Sequence, residues 1–124
     1  MGLFSGIFGN ASEMTLEDAK DDLSHILIPN ETIELAYKLI RDKIIFTSHR
    51  LIIIDIQGMG KKQEFQSIPY RSISRFTVET AGNFDLDSEL DIYISSATEP
   101  TVALEFQGKH AIFEVQQALS QAML

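Results

Sequence analysis

A chain of 124 residues, 44 % hydrophobic and 23 % charged, has the length of one domain with a single core and the composition of an ordinary globular protein. It contains no cysteine, which excludes a disulfide framework, a thiolate nucleophile and any Cys-ligated metal centre, and which suits a reducing cytoplasm. The net charge of −8 is unevenly placed: residues 38–75 sum to +5 between flanks of −6 and −7, and no aromatic-interleaved basic stripe accompanies them, so nucleic acid is not an expected partner.

The start, Met1–Gly9, is apolar but lacks a basic leader and a small-residue cleavage site, and it reads as part of the mature chain. The longest apolar run, Leu51–Ile54, is far short of the roughly 18 residues of a spanning helix. Thr15 as N-cap, Asp18 three residues on, and Leu16, Ala19, Leu23, Ile26 and Leu27 at helical spacing predict an amphipathic helix from about Thr15 to Leu27, stopped at Pro29. The period then changes to two. Ile33, Leu35, Tyr37 and Leu39 alternate with Glu34 and Lys38 as a half-buried strand. Further strands are expected at 43–47, 50–56, 63–68, 73–80, 88–95 and 101–107, with Gly58–Lys62 as a flexible turn. After Gly108, residues 109–124 hold neither Gly nor Pro and carry Ile112, Val115, Leu119, Ala122 and Met123 on one stripe, predicting a terminal helix. The result is a mostly β fold: a bent antiparallel sheet or barrel of seven strands closed by a C-terminal helix, with an additional N-terminal helix.

That strand order resembles the pleckstrin-homology (PH) superfold. The stretch Thr47-Ser48-His49-Arg50-Leu51-Ile52-Ile53-Ile54-Asp55, followed by Ile68-Pro69-Tyr70-Arg71-Ser72-Ile73, is similar to the bacterial PH-like family, in which the pattern T-x-x-R-L-I-x-x-D … I-P-Y-x-x-I recurs. The resemblance implies cytosolic, non-enzymatic proteins that form cyclic homo-oligomers, five-fold rings for single-domain members, and that bind other proteins. On this reading residues 1–31 form an apolar segment and helix packed on a PH-like domain at 32–124.

Catalytic chemistry finds little support. His25, His49 and His110 have no ligand-like spacing, and neither a metal nor any other cofactor is expected. Asp85–Asp91 lacks the central glycine and bidentate glutamate of an EF-hand loop and reads as a solvated acidic loop. Gly58-Met59-Gly60-Lys61-Lys62 lacks the Gly-Lys-Ser/Thr ending of a phosphate loop. The candidate surface for a partner or a headgroup is therefore basic: Lys38, Arg41, Lys43, His49, Arg50, Lys61 and Lys62. In eukaryotic PH domains that bind phosphoinositides a basic pattern spans the first strand pair, which Lys38, Arg41 and Lys43 match, so anionic lipid headgroups are the alternative partner. The acidic flanks oppose it.

Segregated charge also suits head-to-tail self-association, for which Ile52, Ile54, Arg71 and Arg75 are candidates. Because Leu51–Ile54 is apolar on both strand faces, its outer face must be covered, by the N-terminal segment in the favoured reading or by a neighbouring subunit. Arg50 and Asp55 could equally be plain solvent-facing strand ends, and Tyr70 a core residue with its hydroxyl at the rim.

Overall fold

The computed structural model describes residues 12–13, 15–39, 42–57, 62–80, 87–106 and 110–124; the readings that fall on Met1–Gly9, Arg41, 58–61, 81–86 and Lys109 lie outside them. In chain order the elements are β1 (Ser12–Glu13), α1 (Leu16–Leu23), β2 (Ile33–Lys38), β3 (Asp42–Thr47), β4 (Arg50–Gln57), β5 (Lys62–Pro69), β6 (Ile73–Thr80), β7 (Ser88–Ile94), β8 (Val102–Phe106) and α2 (His110–Met123). The seven expected strands and both helices are present, with the two-residue β1 as an addition. Two antiparallel sheets result, ordered β1-β2-β3-β4-β5 and β6-β7-β8. A single 3-10 turn, Tyr70–Ser72, carries the chain from one to the other.

Isoleucine-rich β3 and β4 lie at the centre of the larger sheet, with Ile44 opposite Ile53 and Ile45 opposite Ile52. β-branched side chains suit the pleated surface, and alternation sends neighbours to opposite faces. Leu51 and Ile53 join Leu35, Tyr37, Phe46, Leu90, Ile92, Leu104 and Phe106 in the main core, which α2 completes with Ala111, Ile112, Val115, Ala118 and Leu119. Ile52 and Ile54 turn the other way, into a second cluster with Ala36, Ile45 and, from α1, Ala19 and Leu23. The N-terminal helix is thus the cover that the apolar run requires. Full burial of each isoleucine contributes roughly 1.5–3 kcal/mol.

Three local readings change. Regular helix in α1 stops at Leu23, because the N–H groups of Ile26 and Leu27 both return to the Leu23 carbonyl, at 2.9 and 3.1 Å, in a closing turn ahead of Pro29. Leu16, placed on the apolar stripe by its spacing, is 46 % exposed at the open first turn, and Ala122 is likewise exposed at the far end of α2. In β2 a register irregularity between Ile33 and Leu35 flips the alternation, so Ile33 packs with the α1 cluster while Leu35, Tyr37 and Leu39 face the main core. The cap itself is as read: the Asp18 N–H donates to Thr15 Oγ1 at 3.0 Å. Among the described residues no helix is long and apolar enough to cross a membrane.

The turn between β7 and β8 places two successive serines in the left-handed region, Ser95 at φ 60° and Ser96 at φ 58°, with the Ala97 N–H returning to the Ile94 carbonyl. Glycine and asparagine favour this left-handed backbone. A Cβ there costs about 1 kcal/mol. Ser96→Gly is therefore expected to stabilise the protein by roughly 0.5–1 kcal/mol in urea unfolding, since the Ser96 N–H retains its bond to Ser74 Oγ.

Candidate functional site

The densest polar cluster gathers on the β3–β4 hairpin. Glu31 lies at the end of the α1–β2 linker with its side chain fully buried, and a buried carboxylate is tolerated only when paired and hydrogen-bonded. Arg50 supplies the pairing in bidentate form, from Nε to Glu31 Oε2 at 2.9 Å and from Nη2 to Oε1 at 3.0 Å. The Thr47 hydroxyl donates to Oε2 at 2.5 Å and the Ile28 N–H to Oε1 at 3.1 Å. The rest of the guanidinium reaches the Ile26 carbonyl at 2.7 Å and Ser67 on β5 at 3.1 Å.

Thr47 is the hub. Its hydroxyl accepts from the backbone N–H groups of His49 and Arg50, and its carbonyl accepts the Tyr70 hydroxyl at 2.7 Å. Thr, Arg and Tyr of the recognised pattern therefore converge on one point. They tie together the α1–β2 linker, the β3–β4 hairpin, β5 and the turn into β6.

The electrostatics follow from this geometry. Burial alone would raise the Glu31 carboxyl, but the hydrogen bonds from Arg50, Thr47 and Ile28 and the charge of Arg50 outweigh it and bring the pKa to about 2, from an ordinary 4.5. Burial, with the charge of Glu34 as the next contribution, pushes the Tyr70 phenol up, so that it remains a donor to Thr47.

Of the basic candidates that the structure describes, Lys38 and Lys43 stand directly opposite each other on β2 and β3, whereas His49 and Arg50 lie at the other end of β3. Arg50 belongs to the clasp just described, and Lys43 is held by Asp22 of α1 at 2.8 Å. His49 is exposed at the hairpin tip, with its Nδ1 2.8 Å from the Ser48 hydroxyl. Lys38 and Lys62 are exposed, whereas Arg41 and Lys61 lie outside the described residues. Between these cations, Asp42, Asp55 and Glu64 stand directly opposite one another across β3, β4 and β5. Of the self-association candidates, Arg71 is exposed in the β5–β6 turn and Arg75 lies 3.8 Å over the ring of Tyr93. Ile52 and Ile54 are 0 % and 1 % exposed beneath α1, so their side chains are withdrawn from any surface where copies could meet.

The smaller sheet carries a feature that sequence reading missed. Glu79, Glu89 and Glu105 stand opposite one another across β6, β7 and β8, with Asp91 two residues along β7 from Glu89. A hydrogen bond to Asp91 and the Asp91 charge, followed by burial and the charges of Glu79 and Glu105, raise the Glu89 carboxyl. These residues are far apart in sequence, and only strand register brings them together. Among the described residues no three histidine or carboxylate groups are placed to hold a metal ion.

Comparison with known proteins places this geometry in context. The bacterial PH domain profile matches residues 2–123. The uncharacterized protein YjqA of Bacillus subtilis (strain 168) is 53 % identical over 121 residues, which span 97 % of each chain. Among solved structures, the pleckstrin homology domain from Shewanella amazonensis SB2B superposes with a TM-score of 0.78 at 46 % identity, covering 94 % of both chains. A DUF1696 family protein with a pleckstrin-homology domain from Shewanella loihica PV-4 gives 0.76 at 41 % identity, covering 94 % of this chain and 99 % of that one.

The clasp makes a direct prediction. Truncating one partner strands the other as a buried charge, so Arg50→Ala is expected to cost about 3–5 kcal/mol in chemical denaturation. Because the Glu31 carboxyl titrates lower in the folded than in the unfolded chain, its contribution is complete above pH 4.5 and is lost as pH falls from there toward about 2. Glu31→Gln should flatten that part of the stability profile, measured by urea unfolding from pH 2 to 6.

Proposed function

Since the chain belongs to the bacterial PH domain family, we propose that it is a non-enzymatic protein-binding module of the cytoplasm that assembles head to tail with copies of itself into a ring. The observation that carries this reading is the separation of two unlike surfaces on different sheets. One is the carboxylate row Glu79–Glu89–Glu105 on the three-stranded sheet. The other is β5, which ends the five-stranded sheet: among the described residues it pairs only with β4, and exposed Lys62 at its start and exposed Arg71 just beyond its end outnumber the exposed Glu64 between them.

Like charges directly opposite in a sheet repel by some tenths of a kcal/mol per pair, and cations from another chain relieve that repulsion. An edge strand with unpaired backbone groups is a template for pairing. Because the two surfaces differ, their contact is heterologous, and a heterologous contact that closes generates a ring. The family resemblance supplies five as its size. The module's further protein partner would dock on the assembled surface.

The lipid alternative has weaker support. Lys43 and Arg50 are already neutralised by Asp22 and Glu31, and the Asp42–Asp55–Glu64 row would face the same anionic surface.

Light scattering at low salt is expected to return five times the 13.9 kDa of one chain. Lys62→Glu with Arg71→Glu should lower the mass, and adding Glu89→Lys should restore part of it. A clean monomer at micromolar concentration would sink the ring. Glu89→Gln is expected to stabilise the isolated fold by a few tenths of a kcal/mol while weakening assembly. Sedimentation with anionic vesicles at low salt should leave the protein in the supernatant; pelleting would favour the lipid alternative.

A further inference from the structure

Strand register gathers four carboxylates on the outer face of the three-stranded sheet. Glu89 is at their centre, with Glu79 opposite on β6, Glu105 opposite on β8, and Asp91 two residues along β7 on the same face. Opposed side chains of antiparallel strands have Cβ atoms only about 5 Å apart, so Glu89 meets two like charges where Glu79 and Glu105 each meet one. Those two lie on the outer strands and are exposed, whereas Glu89 and Asp91 are half-buried. Asp91 Oδ1 is itself buried and accepts no hydrogen bond among the described residues. Its cross-strand neighbours, Thr77 and Ala103, carry no charge. The other charged groups described on this face are Asp87, exposed two residues before Glu89, and Arg75, whose guanidinium is engaged 3.8 Å over the Tyr93 ring.

We propose that this cluster is a pH-sensitive switch, in which one proton held between Glu89 and Asp91 sets the charge that the face presents. A proton on Glu89 removes the charge that is opposed from both sides and turns the group into a donor, which Asp91 accepts. The Glu89 carboxyl is raised first by that hydrogen bond and by the Asp91 charge, then by burial and by Glu79 and Glu105.

The sign of the effect follows. The folded chain holds this proton more tightly than the unfolded chain, so its stabilising contribution is complete below the ordinary 4.5 and is lost as pH rises through the higher folded value. The Glu31–Arg50 clasp is complete above 4.5, so the fold stays closed while the switch moves. The effect on assembly rests on the head-to-tail reading. There the ionised row is the form that meets cations, so acid loosens the ring while it firms the protomer, and docking expels the proton.

Two measurements separate the switch from the ring. Carbon-13 NMR of the side-chain carboxyls between pH 4 and 8, on the Lys62→Glu with Arg71→Glu protein, follows each group outside the proposed contact. Glu89 should titrate at higher pH than Glu79 and Glu105, and Asp91→Asn should bring it down to theirs. A Glu89 that titrates with its neighbours, or that Asp91→Asn leaves unmoved, overturns the proposal. Light scattering of the wild type and Glu89→Gln from pH 7 to 5 at constant ionic strength reads the consequence. The wild-type mass should fall toward the 13.9 kDa of one chain, and the Glu89→Gln mass, lower at the outset, should hold steady. Both proteins keep all three histidines, so histidine titration cancels in the comparison. A ring whose mass ignores pH, or changes alike in both proteins, overturns the switch as a control on assembly. A wild type that is monomeric at pH 7 sinks the head-to-tail reading alone, and the carboxyl titration then decides the switch.

Discussion

The buried Glu31–Arg50 pair is the constraint around which this protein is arranged. A carboxylate with a fully buried side chain would be untenable alone, and it persists because a bidentate guanidinium, a threonine hydroxyl and a backbone N–H meet it within 3.1 Å. Arg50 also takes the Ile26 carbonyl, so one side chain fixes both the turn that ends α1 and the linker that follows it. With the linker held, α1 must lie across β2, β3 and β4, where Ala19 and Leu23 cover Ile45, Ile52 and Ile54. The second apolar cluster depends on that placement.

The same cluster explains why the family pattern has the residues it has. Threonine suits the hub because its hydroxyl donates once and accepts twice, serving Glu31 and two backbone N–H groups. Tyrosine suits the following turn because its long side chain reaches back to the Thr47 carbonyl and ties the two sheets at their junction. Phenylalanine could not make the second of these bonds. The motif is therefore a device for closing the fold.

The outer surfaces divide by chemistry. The larger sheet ends, among the described residues, in the edge strand β5, with Lys62 and Glu64 exposed on it and Arg71 exposed just beyond it, and the smaller sheet presents a carboxylate row. The two unlike surfaces suit the heterologous contact proposed above. The intramolecular ion pairs consume Lys43 and Arg50, which sequence alone placed in the basic patch.

Periodicity determined the elements. Alternating Leu35, Tyr37 and Leu39, the isoleucine runs at 44–45 and 52–54, and the unbroken stretch after Gly108 each imposed its own local geometry, and the strand order followed. The need to cover both faces of Leu51–Ile54 was equally legible, because a strand apolar on each side cannot face water. Tertiary structure decided what depends on which residues meet. Glu31 is 19 residues from Arg50, Glu79 is 26 from Glu105, and Lys43 is 21 from Asp22. Pairing across such distances is set by strand register and by the docking of α1, and neither has a period in the chain. Charge could be counted along the sequence, but only the folded chain decided which charges cancel one another.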